Sequence, residues 1–192
     1  AQACATVGAA QIQNRGTLGG NIANASPAAD TFPVLAVYDA VVRAISKDGS
    51  RDIPFLDVFA GVKKTTLKPG ELIAAIDIPF LKPRPTRQIF RKVGTRAAQA
   101  ISKTMAAGLL WLDRDGTARE LRFALGSMAP TVRRLKSVER FIAGKKLGAE
   151  VIEHACELLR QDVSPIDDIR STAEYRLEVS RNLLRSFLAG GN

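Results

Sequence analysis

Two Asp-Gly dipeptides, Asp48-Gly49 and Asp115-Gly116, each stand between runs of alternating or β-branched residues. Asp-Gly favours the tight turns whose twist matches two antiparallel strands. Each dipeptide therefore predicts a hairpin. The first joins residues 41–46 to 51–53 through Lys47-Asp48-Gly49-Ser50, and the second joins 102–112 to 117–127. In the last of these strands Leu121, Phe123 and Leu125 share one face, with Glu120, Arg122 and Ala124 on the other. Antiparallel sheet is thus expected at two separate places in the chain.

Between the hairpins runs Pro79-Phe80-Leu81-Lys82-Pro83-Arg84-Pro85. Such proline density marks a boundary, and it divides the chain into units 1–85 and 86–192. Further strands are expected at 71–79, with Ile73, Ile76 and Ile78 among the apolar positions, and at 88–92. The tail of a helix is expected at 2–8 and a short helical turn at 54–60. Ser26-Pro27 reads as the cap and first turn of a helix running through Val34, Leu35 and Val37. Three helices are expected after the second hairpin. One spans 132–143 and is stopped by Gly144. One spans 149–161 with Val151, Ile152, Ala155, Leu158 and Leu159 on a stripe. One spans 173–188 with Leu177, Leu184, Phe187 and Leu188. Ser171 or Thr172 would cap this last helix, with Glu174 in its first turn. The fold class is α+β: antiparallel sheet with helices segregated to one side.

The sequence has 192 residues, 46% of them hydrophobic and 24% charged, which suits a folded core. No apolar run approaches the ~20 residues of a membrane span. Residues 1–10 lack the basic start and apolar stretch of a signal peptide. Together with only two cysteines, Cys4 and Cys156, this points to a cytoplasmic setting. A zinc or iron–sulfur centre needs about four Cys or His ligands, which argues against one held by this chain alone. His154 is the single histidine and falls in an amphipathic helix as a boundary residue, which leaves little room for Ser–His or Cys–His chemistry. The net charge is +9, yet the cations are spread widely and aromatics make up 6%. No aromatic ladder accompanies them, which argues against nucleic acid. A docking face for an acidic partner subunit accounts for the charge at least as well.

The most polar glycine cluster lies at 13–30. Gly16, Gly19 and Gly20 surround Thr17, and Asn21, Asn24, Ser26 and Asp30 follow. Glycines admit sharp turns and close backbone approach to a ligand, and clustered N–H groups form an anion nest. A phosphate-bearing polyhydroxyl ligand, such as a dinucleotide, fits that set. A plain tight turn is the alternative. Asp30 reads equally as a first-turn helix acid, Lys92 as part of a solvated basic face across 87–96, and Trp111 as a core residue.

The order of motifs resembles a known family. Asn14-Arg15-Gly16-Thr17-Leu18-Gly19-Gly20-Asn21-Ile22 with Ala25-Ser26-Pro27-Ala28-Ala29-Asp30 resembles the second flavin-binding motif of the FAD (medium) subunit in the xanthine dehydrogenase and carbon monoxide dehydrogenase family of molybdenum hydroxylases. Glu71-Leu72-Ile73 with Ile78-Pro79, and Phe90-Arg91-Lys92 with Arg96, are similar to later segments of that family. So are residues 125–131 (Leu-Gly-Ser-Met-Ala-Pro-Thr) and 168–176 (Asp-Ile-Arg-Ser-Thr-Ala-Glu-Tyr-Arg). The resemblance covers nearly the whole chain in the right order. It departs at Gln13, where a basic residue is frequent, and at Ala100, where an acid is common.

The resemblance implies the second half of a PCMH-type FAD-binding domain, followed by a C-terminal domain with a small antiparallel sheet on three helices. The family's subunit begins with a small α/β subdomain bearing another glycine-rich phosphate loop, so half of the flavin cradle is expected before this stretch. Thr17, Gly19 and Gly20 would face the FAD pyrophosphate. Asn21 and Asn24 would hold the loop or reach the flavin side. Asp30 would accept from a ribose or ribityl hydroxyl, Ile73 would give an apolar wall, and Lys92 would lie near the flavin. The implied partners are a molybdopterin-binding subunit and a 2Fe-2S subunit, with NAD or another carrier as electron acceptor. The competing reading is a non-catalytic docking module that does not retain flavin.

Overall fold

The computed structural model describes residues 1–191. Four short helices open the chain: α1 (Gln2–Ala5), α2 (Ala10–Arg15), α3 (Leu18–Ala23) and α4 (Phe32–Val37). The first hairpin follows as β1 (Val41–Ser46) and β2 (Gly49–Pro54), paired from Val41↔Pro54 to Ser46↔Gly49. A 3-10 turn (Phe55–Val58) leads to a small ladder, β3 (Phe59–Gly61) with β4 (Lys64–Thr65). Then β5 (Leu72–Asp77) pairs with β1, giving a three-stranded sheet in the order β2-β1-β5.

Beyond the prolines lie β6 (Arg87–Val93), β7 (Thr104–Leu112), β8 (Thr117–Gly126) and β9 (Arg133–Arg134). Next come α5 (Lys136–Ile142), β10 (Lys145–Lys146), α6 (Ala149–Leu158) and α7 (Ala173–Ala189). The second sheet runs β10-β8-β7-β6, with β9 beside β8. All of its pairings are antiparallel.

This second sheet is a wall between two cores, because successive side chains of a strand face opposite ways. On one side Ala106, Leu110, Leu121, Phe123 and Leu125 meet Leu135, Val138, Ile152, Ala155, Leu184 and Phe187 of the helical layer. On the other, Ala107, Leu109, Trp111 and Ala124 meet α4 and the inner face of the first sheet through Phe32, Leu35, Val42, Ala44 and Phe55. The indole N–H of Trp111 is satisfied by the Pro83 carbonyl at 2.8 Å, which fits a core residue rather than a stacking platform.

Four sequence expectations change. The stretch around Gly16–Gly20 is not an open loop but two helices with one break. No helix begins at Ser26. Its hydroxyl accepts from the Ala28 N–H at 3.3 Å and its carbonyl from Ala29 at 3.1 Å, which closes a turn. A hydroxyl stabilises such turns by the same bond it offers a helix cap, and α4 starts later, with Pro33 in its first turn. The helix expected from residue 132 also starts late, because Arg133 and Arg134 first pair with Leu125 and Ala124 of β8. Finally, the expected helical turn at 54–60 ends in β3, whose partner β4 had no strand signal.

Candidate functional site

Thr17 is the N-cap of α3, and its Oγ1 accepts from the Gly20 N–H at 2.9 Å. Glycine is required at Gly16, where a Cβ would sit 2.9 Å from the Ile12 carbonyl oxygen, and tight at Gly20, where it would lie 3.1 Å from Thr17 Oγ1. Gly19 differs: a Cβ there would meet Ile73 Cγ2 at an ordinary 3.7 Å. Packing does not demand glycine at that position. Gly19 stands in the first turn of α3, where a side chain would find room. Ile73, on β5, backs this turn.

Asn21 Oδ1 accepts from the Thr31 hydroxyl at 2.7 Å, which ties α3 to the start of α4. Asn24, at the C-cap of α3, accepts from Lys63 Nζ at 2.7 Å. Thr17, Gly20, Asn21 and Thr31 line one cavity of about 520 Å³ with residues of α1 and α2.

Asp30 borders a second cavity, of about 390 Å³, with Ile12, Ser26, Ala28, Ala100 and Arg170. Its Oδ2 accepts from Lys92 Nζ at 2.6 Å, and both side chains are largely buried, 8% and 11% exposed. Lys92 also donates to the Thr6 carbonyl at 2.8 Å. Asp30 Oδ1 is buried without any hydrogen-bond partner. Burial pushes the Asp30 carboxyl above its ordinary value, and the hydrogen bond and charge of Lys92 pull it part of the way back.

The expected site residues therefore divide. Thr17, Gly20 and Asn21 line one cavity, whereas Asp30 with Lys92 forms a centre at the other; Ile12 borders both. Gly19, Asn24, Ile73 and Lys92 line neither of these cavities. Two of the plainer readings fail. Asp30 precedes the N-cap of α4 rather than sitting in its first turn, and Lys92 is no solvated cation. Thr31, Lys63 and the Thr6 carbonyl were missed. Only Thr31, adjacent to Asp30, had any signal in its position.

On the far side of Arg170, Asp168 accepts from Arg176 Nη2 at 2.7 Å and from the Arg170 backbone N–H at 2.8 Å. The two guanidiniums hold its carboxyl well below the usual carboxylate range. Among the described residues, no cluster of His, Cys, Asp and Glu could hold a metal ion. No helix among them is long and apolar enough to cross a membrane.

A family model described as FAD binding domain in molybdopterin dehydrogenase matches residues 1–81. Another, described as CO dehydrogenase flavoprotein C-terminal domain, matches residues 89–190. The glyceraldehyde dehydrogenase medium chain of Sulfolobus acidocaldarius is 31% identical over 178 residues, covering 93% of this chain and 62% of that protein. The xanthine dehydrogenase FAD-binding subunit of Escherichia coli O157:H7 is 30% identical, covering 97% and 64%. Among solved structures, CO dehydrogenase from Oligotropha carboxidovorans superposes with a TM-score of 0.87 at 26% identity, covering 96% of this chain and 64% of the other. This chain thus spans less than two thirds of the length of these relatives. Fold and matches together define an FAD-binding domain of the molybdopterin dehydrogenase type joined to a CO dehydrogenase flavoprotein C-terminal domain. The chain belongs to the FAD-binding subunits of the xanthine dehydrogenase and CO dehydrogenase family of molybdenum hydroxylases.

Proposed function

We propose that this chain helps to hold FAD in the electron-transfer component of a cytoplasmic molybdenum hydroxylase. In that component, electrons from iron–sulfur clusters on one partner subunit, reduced by a molybdopterin-binding subunit, reach NAD or another acceptor. Residues 1–85 form the flavin-cradling unit in this reading, and 86–192 the C-terminal unit that braces it. Bound FAD supplies the redox chemistry, which links one-electron donors to a two-electron acceptor.

The observation that carries the reading is Asp30. A buried carboxylate oxygen without a donor is costly, and a ligand hydroxyl meets that need. The bare turn at Gly19 adds a place where a phosphate can approach backbone N–H groups, which lack intrahelical partners in a first turn. The Thr17 hydroxyl would complete the phosphate contact as a donor, while the Gly20 N–H, already held by Thr17 Oγ1, would set its orientation. Asn21 and Asn24 would fix the helix that carries them, through Thr31 and Lys63. Ile73 would exclude water behind Gly19. Lys92 would place a cation at the flavin end of the site.

The test is the flavin absorbance of the purified full-length subunit, with reconstitution by added FAD. Flavin bound in a defined ratio is expected, with weaker retention in Asp30→Ala. A colourless protein that FAD cannot reconstitute would refute the proposal.

A further inference from the structure

Aliphatic side chains gather in water round one mouth of the molecule. Val62, Ile101 and Ile166 are each more than half exposed, and Ile169 is wholly so. They come from three loops: the turn between β3 and β4, the segment between β6 and β7, and residues 162–172. Arg170 is their common neighbour. It borders the Asp30 cavity beside Ile101, and a larger cavity of about 610 Å³ beside Val62 and Ile166. Ser26 and Ala28 also border both cavities, so the mouth lies next to Asp30. Ile169 lines neither cavity.

These loops are held before anything binds. Ser164 donates its N–H to the Met128 carbonyl at 2.9 Å, and Asp162 accepts from the Ser137 N–H at 2.9 Å. The Lys63 N–H reaches the Ala25 carbonyl at 3.0 Å, and Arg96 Nε the Gln99 carbonyl at 3.0 Å. A contiguous exposed apolar patch marks an interaction site, and a patch that needs no ordering loses little on binding. Small ligands are enclosed by cavity walls. Side chains that stand beyond the walls meet a broader surface, that of another protein. Lys63, Arg96 and Lys103 share these loops, and their partners are an amide oxygen, carbonyls and the Tyr175 ring rather than anions. The acids of the third loop are engaged already, Asp167 by the Ala173 N–H and Asp168 by Arg170 and Arg176.

We propose that this apolar centre with its ring of cations docks a small acidic protein that carries one electron at a time, and that such a carrier is the acceptor of this component. This rests on the FAD reading above and names its acceptor. Two dockings reoxidise one two-electron-reduced FAD: each carrier gains one electron, and two protons pass to water. The apolar centre supplies affinity, and the charged rim steers the approach.

The experiment uses the full-length subunit in its assembled complex. Zinc-substituted rubredoxin, a small acidic carrier made redox-inert, is the binding probe. Iron rubredoxin is the electron acceptor after reduction of the complex by dithionite. Wild type should bind the probe, with protection of Ile166 and Ile169 in hydroxyl-radical footprinting. The Ile166→Ser/Ile169→Ser double variant should bind it about tenfold more weakly, the scale of one central apolar contact. Lys103→Glu should weaken binding at low salt and flatten its salt dependence. Both variants should keep their flavin content and their rate with a small dye, phenazine methosulfate. Absence of binding, binding that these substitutions leave unchanged, or footprints with both isoleucines already covered in the complex would overturn the proposal. So would reduction of NAD without any electron transfer to rubredoxin. A colourless complex that FAD cannot reconstitute would instead refute the FAD reading itself.

Discussion

Replacing Asp168 by Asn removes one charge from a pair whose other member has nowhere to go. Arg176 is 2% exposed. Its Nη1 donates to the carbonyls of Lys103 and Ser127, its Nη2 to Asp168, and its Nε to nothing. Removing one partner of a buried pair costs about 3–5 kcal/mol, because the survivor stays buried and uncompensated. Here the low end applies. Arg176 keeps two carbonyls, and the Asp168 side chain is 18% exposed, so solvent screens part of the interaction. A loss of about 3 kcal/mol in a protein of this size lowers Tm by roughly 6–12 °C. The pH dependence gives a second reading. The folded-state pKa of Asp168 is lowered from 3.8, so its contribution is present above that pH and is lost as pH falls through the folded value. Thermal melts at pH 7 and across the acid range should show Asp168→Asn far below wild type at pH 7, with the gap closing at low pH. A Tm change under about 2 °C at pH 7 would refute the argument that Arg176 depends on this carboxylate.

Two further outcomes follow from geometry. Gly108→Ala places a methyl 2.8 Å from Phe123 Cδ2 and 2.9 Å from Phe187 Cε1, both atoms of packed rings. Overpacking of this kind costs about 1–3 kcal/mol; urea denaturation should show it, and an unchanged midpoint would mean that the helical layer yields freely. Glu71 accepts from Arg51 Nε at 2.7 Å and from the Lys68 N–H at 2.7 Å, which lowers its pKa from 4.5 to about 2. An NMR titration should find it ionised throughout the ordinary carboxylate range, and a midpoint near 4.5 would show the pair to be open in solution.

What the sequence revealed follows the range of the forces involved. Both Asp-Gly hairpins and the helices α6 and α7 are specified by neighbours in the chain, through turn chemistry and an apolar stripe. They stand close to where the pattern puts them, although the first turn tightens to Lys47-Asp48 and β2 begins already at Gly49. The shape of the glycine motif does not, because Gly-Gly-Asn is poor helix sequence. The helix α3 forms there because Thr17 caps it and Ile22 is fully buried, and burial of Ile22 depends on distant residues. The small β3–β4 ladder is two or three residues a strand, too short to show periodicity.

The site shows the same limit more sharply. Asp30 and Lys92 could be picked out one by one, yet each had a plain alternative: a helix acid, a solvated cation. Their pairing spans 62 positions and crosses the proline-rich segment. The two family models match separate stretches on either side of that segment. The structure joins them twice over: α4 packs on β7 and β8 of the second sheet, and Lys92 of β6 reaches back to Asp30 and Thr6. The buried carboxylate thus belongs to one unit, while the cation paired with it belongs to the other. In the proposed reading the C-terminal unit is therefore part of the cradle. A change that only loosens the packing of α4 against the second sheet should weaken ligand binding even though it touches no cavity residue.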